Sequence, residues 1–298
     1  MVNAKRKQLG ADRAFDIINT LFLGVCFLLV AYPLIYIISA SFSNAKAVIG
    51  RKVWLWPVDF DLSAYKAIFK NRQIGTGYLN SAFYVAAGTS LSVFLTILAA
   101  YPLSRKEFVG RNFFMGFILF TMLFSGGLIP LYLLIKELGI RDTRWAMILP
   151  NAIGVWNVIV ARTFLQSTIS DELYDAAQID GCNDVRFLFQ MVFPLSGSII
   201  AVMTLFYAVW IWNSYFDALI YLDSQNLFPL QIILRNILIM NQMDLSMMND
   251  IEALARKQGL AEIMKYALIV VASVPLLVIY PFVQKYFVKG VMVGSVKG

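Results

Sequence analysis

Six runs of apolar residues constrain this chain more than any other feature: Phe15 to Ile38, Tyr78 to Tyr101, Phe113 to Ile135, Trp145 to Ala161, Leu195 to Leu222, and Tyr266 to Val283. A helix crosses a bilayer with about 20 predominantly apolar residues, and its backbone amides and carbonyls must then be paired within the protein. The fourth and sixth runs are short for this purpose and the fifth is long. The pattern predicts an all-α, polytopic membrane protein with six transmembrane helices in a single domain over residues 1–298. Composition agrees, because 59% hydrophobic and 14% charged residues are too apolar a mixture for a soluble chain of 298 residues.

The first run follows a basic start, Lys5, Arg6, Lys7 and Arg13, and precedes Ser43-Asn44-Ala45, a stretch that loosely resembles a signal-peptidase site. The run is longer than a signal-peptide core of about 7 to 15 residues, so it is expected to stay as an uncleaved first span. Six spans put both termini on one side. Lysines and arginines divide evenly between the two sets of loops, and the dense basic cluster at the N-terminus places the termini in the cytoplasm. Two connections are long, residues 39–77 and 223–265, both on the side away from the termini. The first holds Trp54-Leu55-Trp56-Pro57, an amphipathic patch suited to the membrane interface. The second holds Met240, Met243, Met247 and Met248 among polar residues, either as partner-contacting short helices or as a solvated connector.

Several functions are excluded early. The chain has no histidine, which removes the usual catalytic triads, His-based zinc sites and His proton relays, so neither catalytic nor metal-ligating residues are expected. Cys26 lies in an apolar run and Cys182 in a distant polar loop, which implies no disulfide framework. A net charge of +7 fits basic residues flanking spans, with no nucleic-acid partner. No Gly-x-x-x-x-Gly-Lys-Ser/Thr loop is present, so this chain is expected to hydrolyse no ATP. Ser125-Gly126-Gly127 has the look of an ATPase signature, but it sits inside an apolar run and reads as helix breaking and close packing, assisted by Pro130.

The most informative loop is on the side of the termini. In it, Ser170 can cap a helix whose first turn, Asp171 and Glu172, suits the positive end of the dipole, and Gly181 can end that helix in a left-handed conformation. Asn183 or Asp184 can cap a second helix running to Pro194. Ala176 and Ala177 leave little bulk, so another protein surface can approach, and Asp171, Glu172, Asp175, Asp180 and Asp184 offer partners to basic residues on it. The residues allow either a docking element or an ordinary acidic amphipathic loop.

Here the sequence resembles a known family. Permease subunits of binding-protein-dependent ABC importers carry Glu-Ala-Ala, three residues, Gly, nine residues, Ile, one residue, Leu-Pro. This chain reads Asp175-Ala176-Ala177, Gly181, Met191, Phe193-Pro194 with the spacing intact and with Asp, Met and Phe replacing Glu, Ile and Leu. Tyr78-Leu-Asn-Ser81, Trp212-Asn213 and the ending Gln284 to Gly290 with Gly294 look like the smaller permease of maltose-type transporters. Lys52 to Pro57, Phe124 to Pro130 and Trp156-Asn157 look like the lipoprotein-associated oligosaccharide subgroup. The resemblance implies a coupling loop at about residues 170–194, with Glu172, Asp175, Ala176, Ala177, Asp180 and Gly181 contacting an ATPase. It also implies a second homologous permease, two cytoplasmic ATPase subunits holding ATP and Mg, and an external binding protein or lipoprotein. The setting would be a bacterial inner membrane, with no cofactor on this chain itself.

A sugar path needs polar and aromatic side chains around a cavity. The fifth run offers Tyr207, Trp210, Trp212, Asn213, Tyr215 and Asp217; Trp210, Asn213 and Asp217 align at helical spacing, as do Trp212 and Tyr215 roughly. Asn80, Tyr84, Asn151 and Asn157 are further candidates, against the alternative that such residues face lipid or bond neighbouring helices. A self-sufficient ion-coupled secondary transporter is the rival class, and it calls for mid-membrane acids and no acidic docking loop.

Overall fold

The computed structural model describes the backbone of residues 10–246 and 251–295 and the side chains of residues 13–239 and 258–281. The expected contributions of Lys5, Arg6, Lys7, the four loop methionines and the tail from Gln284 lie outside those side chains. Among the described residues every regular element is helical. In chain order these are α1 (Gly10–Ser41), α2 (Ala45–Ile49), α3 (Ser63–Lys70), α4 (Arg72–Ser104), α5 (Arg111–Leu123), α6 (Leu128–Glu137), α7 (Arg144–Ile148) and α8 (Val155–Thr168). Then follow α9 (Asp171–Ile179), α10 (Asp184–Phe187), a π-helical turn (Leu188–Val192), α11 (Phe193–Leu195), α12 (Gly197–Trp212), α13 (Phe216–Tyr221), a 3-10 turn (Gln225–Leu227), α14 (Leu230–Ser246) and α15 (Ile251–Ser295).

Three stretches are long and apolar enough to cross a membrane, Arg13–Ser41, Arg72–Ser104 and Gln258–Pro281, and five are if two bent pairs count as spans. The expected third run is one of those pairs: α5 and α6 diverge by 110° around Phe124–Gly127. Gly127 holds a φ of 87°, a conformation that L side chains rarely adopt. The break matches expectation; a Cβ on Gly126 would meet Pro130 Cβ at 3.8 Å, whereas one on Gly127 would meet nothing within 4 Å. The fourth run, 145–161, is not one helix; Pro150 and Gly154 interrupt it, leaving α7 and α8 of 5 and 14 residues. The fifth is broken twice, by a 78° bend at Ser196 and by a turn at Asn213–Tyr215. The loop of 39–77 is largely ordered by α2, α3 and the start of α4, and that of 223–265 by α14 and the start of α15.

The described residues divide into two compact units, those up to residue 70 with 237–246 and 251–272, and residues 71–236 with those from 273 to 295. In the first, hydroxyls close the turn after α1: Ser39 donates to the Leu55 carbonyl at 2.6 Å, Val58 N–H donates to Ser43 at 3.0 Å, and Tyr65 donates to Ser41 at 2.9 Å. The Phe42 ring stacks on Tyr65 and Phe60, while Tyr36 meets Tyr266 edge-on at 5.6 Å. Trp54 and Trp56 are left exposed.

In the second unit α4 is the central element, packing mainly on α12 and α8. Its small and hydroxyl residues, Gly77, Ser81, Gly88, Ser92 and Thr96, are buried, as helix interfaces within a membrane require for close approach. A Cβ on Gly88 would meet the flexible end of Ile211 at 2.8 Å and side-chain carbons of Ile211 and Ile148 at ordinary contact distance, whereas one on Gly77 would meet Ile233 Cδ1 at 2.6 Å and the Leu230 backbone at 3.1 Å. Gly77→Ala is therefore expected to lower stability by about 1–3 kcal/mol, and Gly88→Ala by less. Thermal unfolding of the two variants in detergent checks the order, and equal midpoints would contradict it.

Candidate functional site

The capping signals in the 170–194 loop form as their residue types require. Ser170 accepts the Leu173 N–H at 3.3 Å and begins α9. At the other end Gly181 has a φ of 78°, and the Gly181 and Cys182 amides donate to the Gln178 and Ala177 carbonyls, both at 2.9 Å. This pairing is the Schellman arrangement, which occupies carbonyls that a helix end otherwise leaves unpaired. Of the two expected caps for α10, Asn183 does the work, accepting the Arg186 N–H at 2.8 Å.

The helix has two distinct faces. Ala177 is 7% exposed and sits in a core with Tyr101, Leu103, Leu165, Phe187 and Leu188, flanked by Leu173, Tyr174 and Cys182. Glu172, Asp175, Ala176, Asp180 and Gly181 are exposed. The expectation that both alanines open the surface is thus corrected: Ala176 faces out, and Ala177 is small because α9 lies close against its own chain. Residues not anticipated from sequence complete the outer face, namely Ile179, 87% exposed, and the exposed Val185. An apolar side chain at that exposure between acidic neighbours has the character of the buried centre of a partner contact. Ile179 was legible only once Ala177 was known to point inward, since the two are two positions apart on a short helix.

Charge fixes α9 at its N-terminus. Lys106 Nζ lies 2.8 Å from Asp171 Oδ2, and Arg105 Nη1 is 3.6 Å from Asp171 Oδ1. The hydrogen bond from Lys106 holds the Asp171 carboxyl below the usual carboxylate range, and the same bond raises Lys106. Glu172 is also lowered, first by a hydrogen bond from Ser170. Tyr174 donates to Asp184 at 2.5 Å, which together with burial raises the phenol.

At the other end of α4 the candidate path residues separate into two groups. Asn80 Nδ2 donates to the Asn226 and Phe228 carbonyls at 2.7 and 3.1 Å, and Tyr84 donates to the Leu227 carbonyl at 2.8 Å. Both are buried and hold the 3-10 turn. Trp212 is also buried, 6.2 Å from Tyr78, so it does not share a face with Tyr215; the turn after Trp212 breaks the helical register on which that alignment rested. The remaining candidates converge. A cleft of about 750 Å³ is lined by Phe206, Trp210, Asn213, Ser214, Tyr215 and Asp217. A second, of about 400 Å³, shares Phe206 and Trp210 and adds Asn151, Trp156 and Asn157. Asn151 Nδ2 reaches Asp217 Oδ2 at 3.2 Å. Carboxylate, amides and indole faces together can hydrogen-bond hydroxyls and stack on a sugar ring. No group of acidic, cysteine or histidine side chains among the described residues could hold a metal.

Residues 92–293 match the family described as the inner membrane component of binding-protein-dependent transport systems. The chain belongs to this family. It is 43% identical over 288 residues to the polygalacturonan/rhamnogalacturonan transport system permease protein YtcP of Bacillus subtilis, covering 96% of this chain and 99% of the relative. It is 40% identical to Protein LplC of the same organism, covering 97% and 96%. A chain from the crystal structure of a bacterial ABC transporter that imports the acidic polysaccharide alginate aligns with a TM-score of 0.81 and 34% identity, covering 94% of this chain and 99% of that one. Membership places the chain in a membrane as a transport component working with an ATPase and a substrate-binding protein, and it sets aside the self-sufficient ion-coupled alternative.

Because the folded pKa of Asp171 lies below its unfolded value, its contact with Lys106 stabilises α9 above the ordinary carboxylate range and is lost only as pH falls through the lowered value. Lys106 is raised, so the pair persists across neutral pH. Lys106→Met should move the Asp171 titration upward, measured by NMR of carboxyl-labelled aspartate in micelles. A midpoint that stays where it was would contradict the assigned partner.

Proposed function

We propose that this permease is one of a homologous pair through which oligosaccharides, delivered by an external lipid-anchored or soluble binding protein, enter the cell. Two cytoplasmic ATPase subunits, binding ATP and Mg, drive the cycle. The whole of residues 1–298 acts as one permease domain with both termini in the cytoplasm, and α9 faces the ATPases. The observation that carries this reading is the outer face of α9, where Glu172, Asp175, Ala176, Ile179 and Asp180 stand exposed while the inner face is anchored in the core. A short helix fixed on one side and ringed by acids on the other suits a cleft with basic walls.

The sugar follows the clefts lined by Asn151, Trp156, Trp210, Asn213, Tyr215 and Asp217. Asn80, Tyr84 and Trp212 shape the path from behind. The cargo is a carboxylate-bearing oligosaccharide. Support comes from relatives named for polygalacturonan, rhamnogalacturonan and alginate. Arg235 adds to it, because its guanidinium carbon lies 5.9 Å from the centre of the Tyr215 ring that lines the larger cleft.

Gly181 gives the test. A Cβ there would meet nothing within 4 Å and would project outward, although the φ of 78° strains any L residue. In the assembled transporter, Gly181→Trp should leave membrane insertion intact and lower uptake of labelled uronic-acid oligosaccharides per ATP hydrolysed by about tenfold or more, the loss expected when a packed contact is blocked. Unchanged uptake per ATP would remove the docking role. Uptake of neutral oligosaccharides in preference to acidic ones would overturn the cargo.

A further inference from the structure

The residue that ties α9 to the spans stands outside the family motif. Arg105 is the C-terminal cap of α4, is 8% exposed, and lies with its guanidinium carbon 4.0 Å above the centre of the Tyr174 ring. Its Nη1 faces Asp171 at 3.6 Å and its Nε faces Glu107 at 3.4 Å, while Nε and Nη2 have no hydrogen-bond partner among the described residues. Two of the three groups that hold this cation, Tyr174 and Asp171, belong to α9. The surrounding structure keeps the Arg105 end of α4 in place. Arg162 Nε donates to the Leu103 carbonyl at 2.8 Å, and Arg111 Nη1 donates to the Arg105 carbonyl at 3.3 Å. These guanidinium groups pair carbonyls of the last turn and complement the negative end of the helix dipole.

We infer that Arg105 is a positioning residue through which displacement of α9 is transmitted to α4. This rests on the reading of α9 as the ATPase-docking helix. A guanidinium held by a ring face and two carboxylates, with little hydrogen bonding to fix it otherwise, follows those groups when they move. Helix α4 is 33 residues long, about 50 Å at 1.5 Å per residue. At its far end Asn80, Ser81 and Tyr84 hold the segment from Asn226 to Leu230. A push on α9 therefore reaches the opposite end of the unit along one continuous helix. The Ala177 core contacts keep α9 close to α4, and the Arg105 contacts give the pair a fixed register.

The test uses the complete transporter in proteoliposomes, with ATP hydrolysis and labelled-oligosaccharide uptake measured together. Arg105→Gln should let hydrolysis continue but reduce uptake per ATP by about thirtyfold, the scale of one desolvated cation–π contact. Arg105→Lys, which keeps a cation over the ring, should recover a large part of it. Tyr174→Phe, which keeps the ring face, should couple better than Tyr174→Leu. An Arg105→Gln transporter of normal composition with unchanged uptake per ATP would overturn the inference. Should that variant fail to assemble, equal coupling of Tyr174→Phe and Tyr174→Leu would overturn it instead. If Gly181→Trp uncouples and the Arg105 and Tyr174 variants do not, docking stands and the clasp alone falls. If Gly181→Trp has no effect, the docking reading itself falls.

Discussion

An amide in apolar surroundings cannot be left unpaired without a cost of several kcal/mol, about what a small domain has in total, and this structure breaks its apolar helices repeatedly. The break before α8 shows how the cost is met. The Gly154 N–H donates to the Tyr207 hydroxyl at 2.9 Å, and that hydroxyl is 2.7 Å from Thr96 on α4. One phenol thus caps a helix start and joins α12, α8 and α4. The same arrangement recurs where α14 begins, the Leu230 N–H donating to Ser81 at 2.8 Å, and beside it Asn80 and Tyr84 take the carbonyls of the preceding turn. Asn80, Ser81, Tyr84, Thr96 and Tyr207 are therefore occupied in closing breaks. The breaks, in turn, open the clefts beside Trp210 and Asn213.

That division of labour gives α4 its place. It has polar partners near both ends: the 226–230 segment at one, and α9 with Arg105, Lys106 and Asp171 at the other. A continuous helix packed on α8 and α12 is a stiff connection between those two sets of partners. Proline lies inside α4 only in its last turn, at Pro102, where a lost amide bond bends little of the helix.

Much of the 170–194 loop was legible from sequence because caps are local. Ser170, Gly181 and Asn183 act on amides and carbonyls within a few residues of themselves, so residue type and spacing suffice to place α9 and α10. The apolar runs gave the all-helical membrane class, and Gly126-Gly127 gave the break between α5 and α6. What could not be read depends on contacts distant in sequence. Nothing local says that Ala177 faces a core made by α4 and α8, that Ile179 is consequently exposed, or that Asn80 is committed to carbonyls 146 and 148 residues away. Trp212 and Tyr215 were expected on one face by helical spacing, and the turn between them invalidates the spacing. Arg105 carried no sequence signal, because a basic residue at the end of an apolar run is ordinary; the Tyr174 ring above it and the Asp171 carboxylate beside it distinguish it.

The central claim, that the outer face of α9 meets an ATPase inside the cell, is tested most directly by Ile179→Cys in a chain from which Cys26 and Cys182 have been removed. Cross-linking in membranes of the assembled transporter should join position 179 to the ATPase subunit, and a membrane-impermeant thiol reagent should fail to label it from outside intact cells. Labelling from outside with no ATPase adduct would contradict the account.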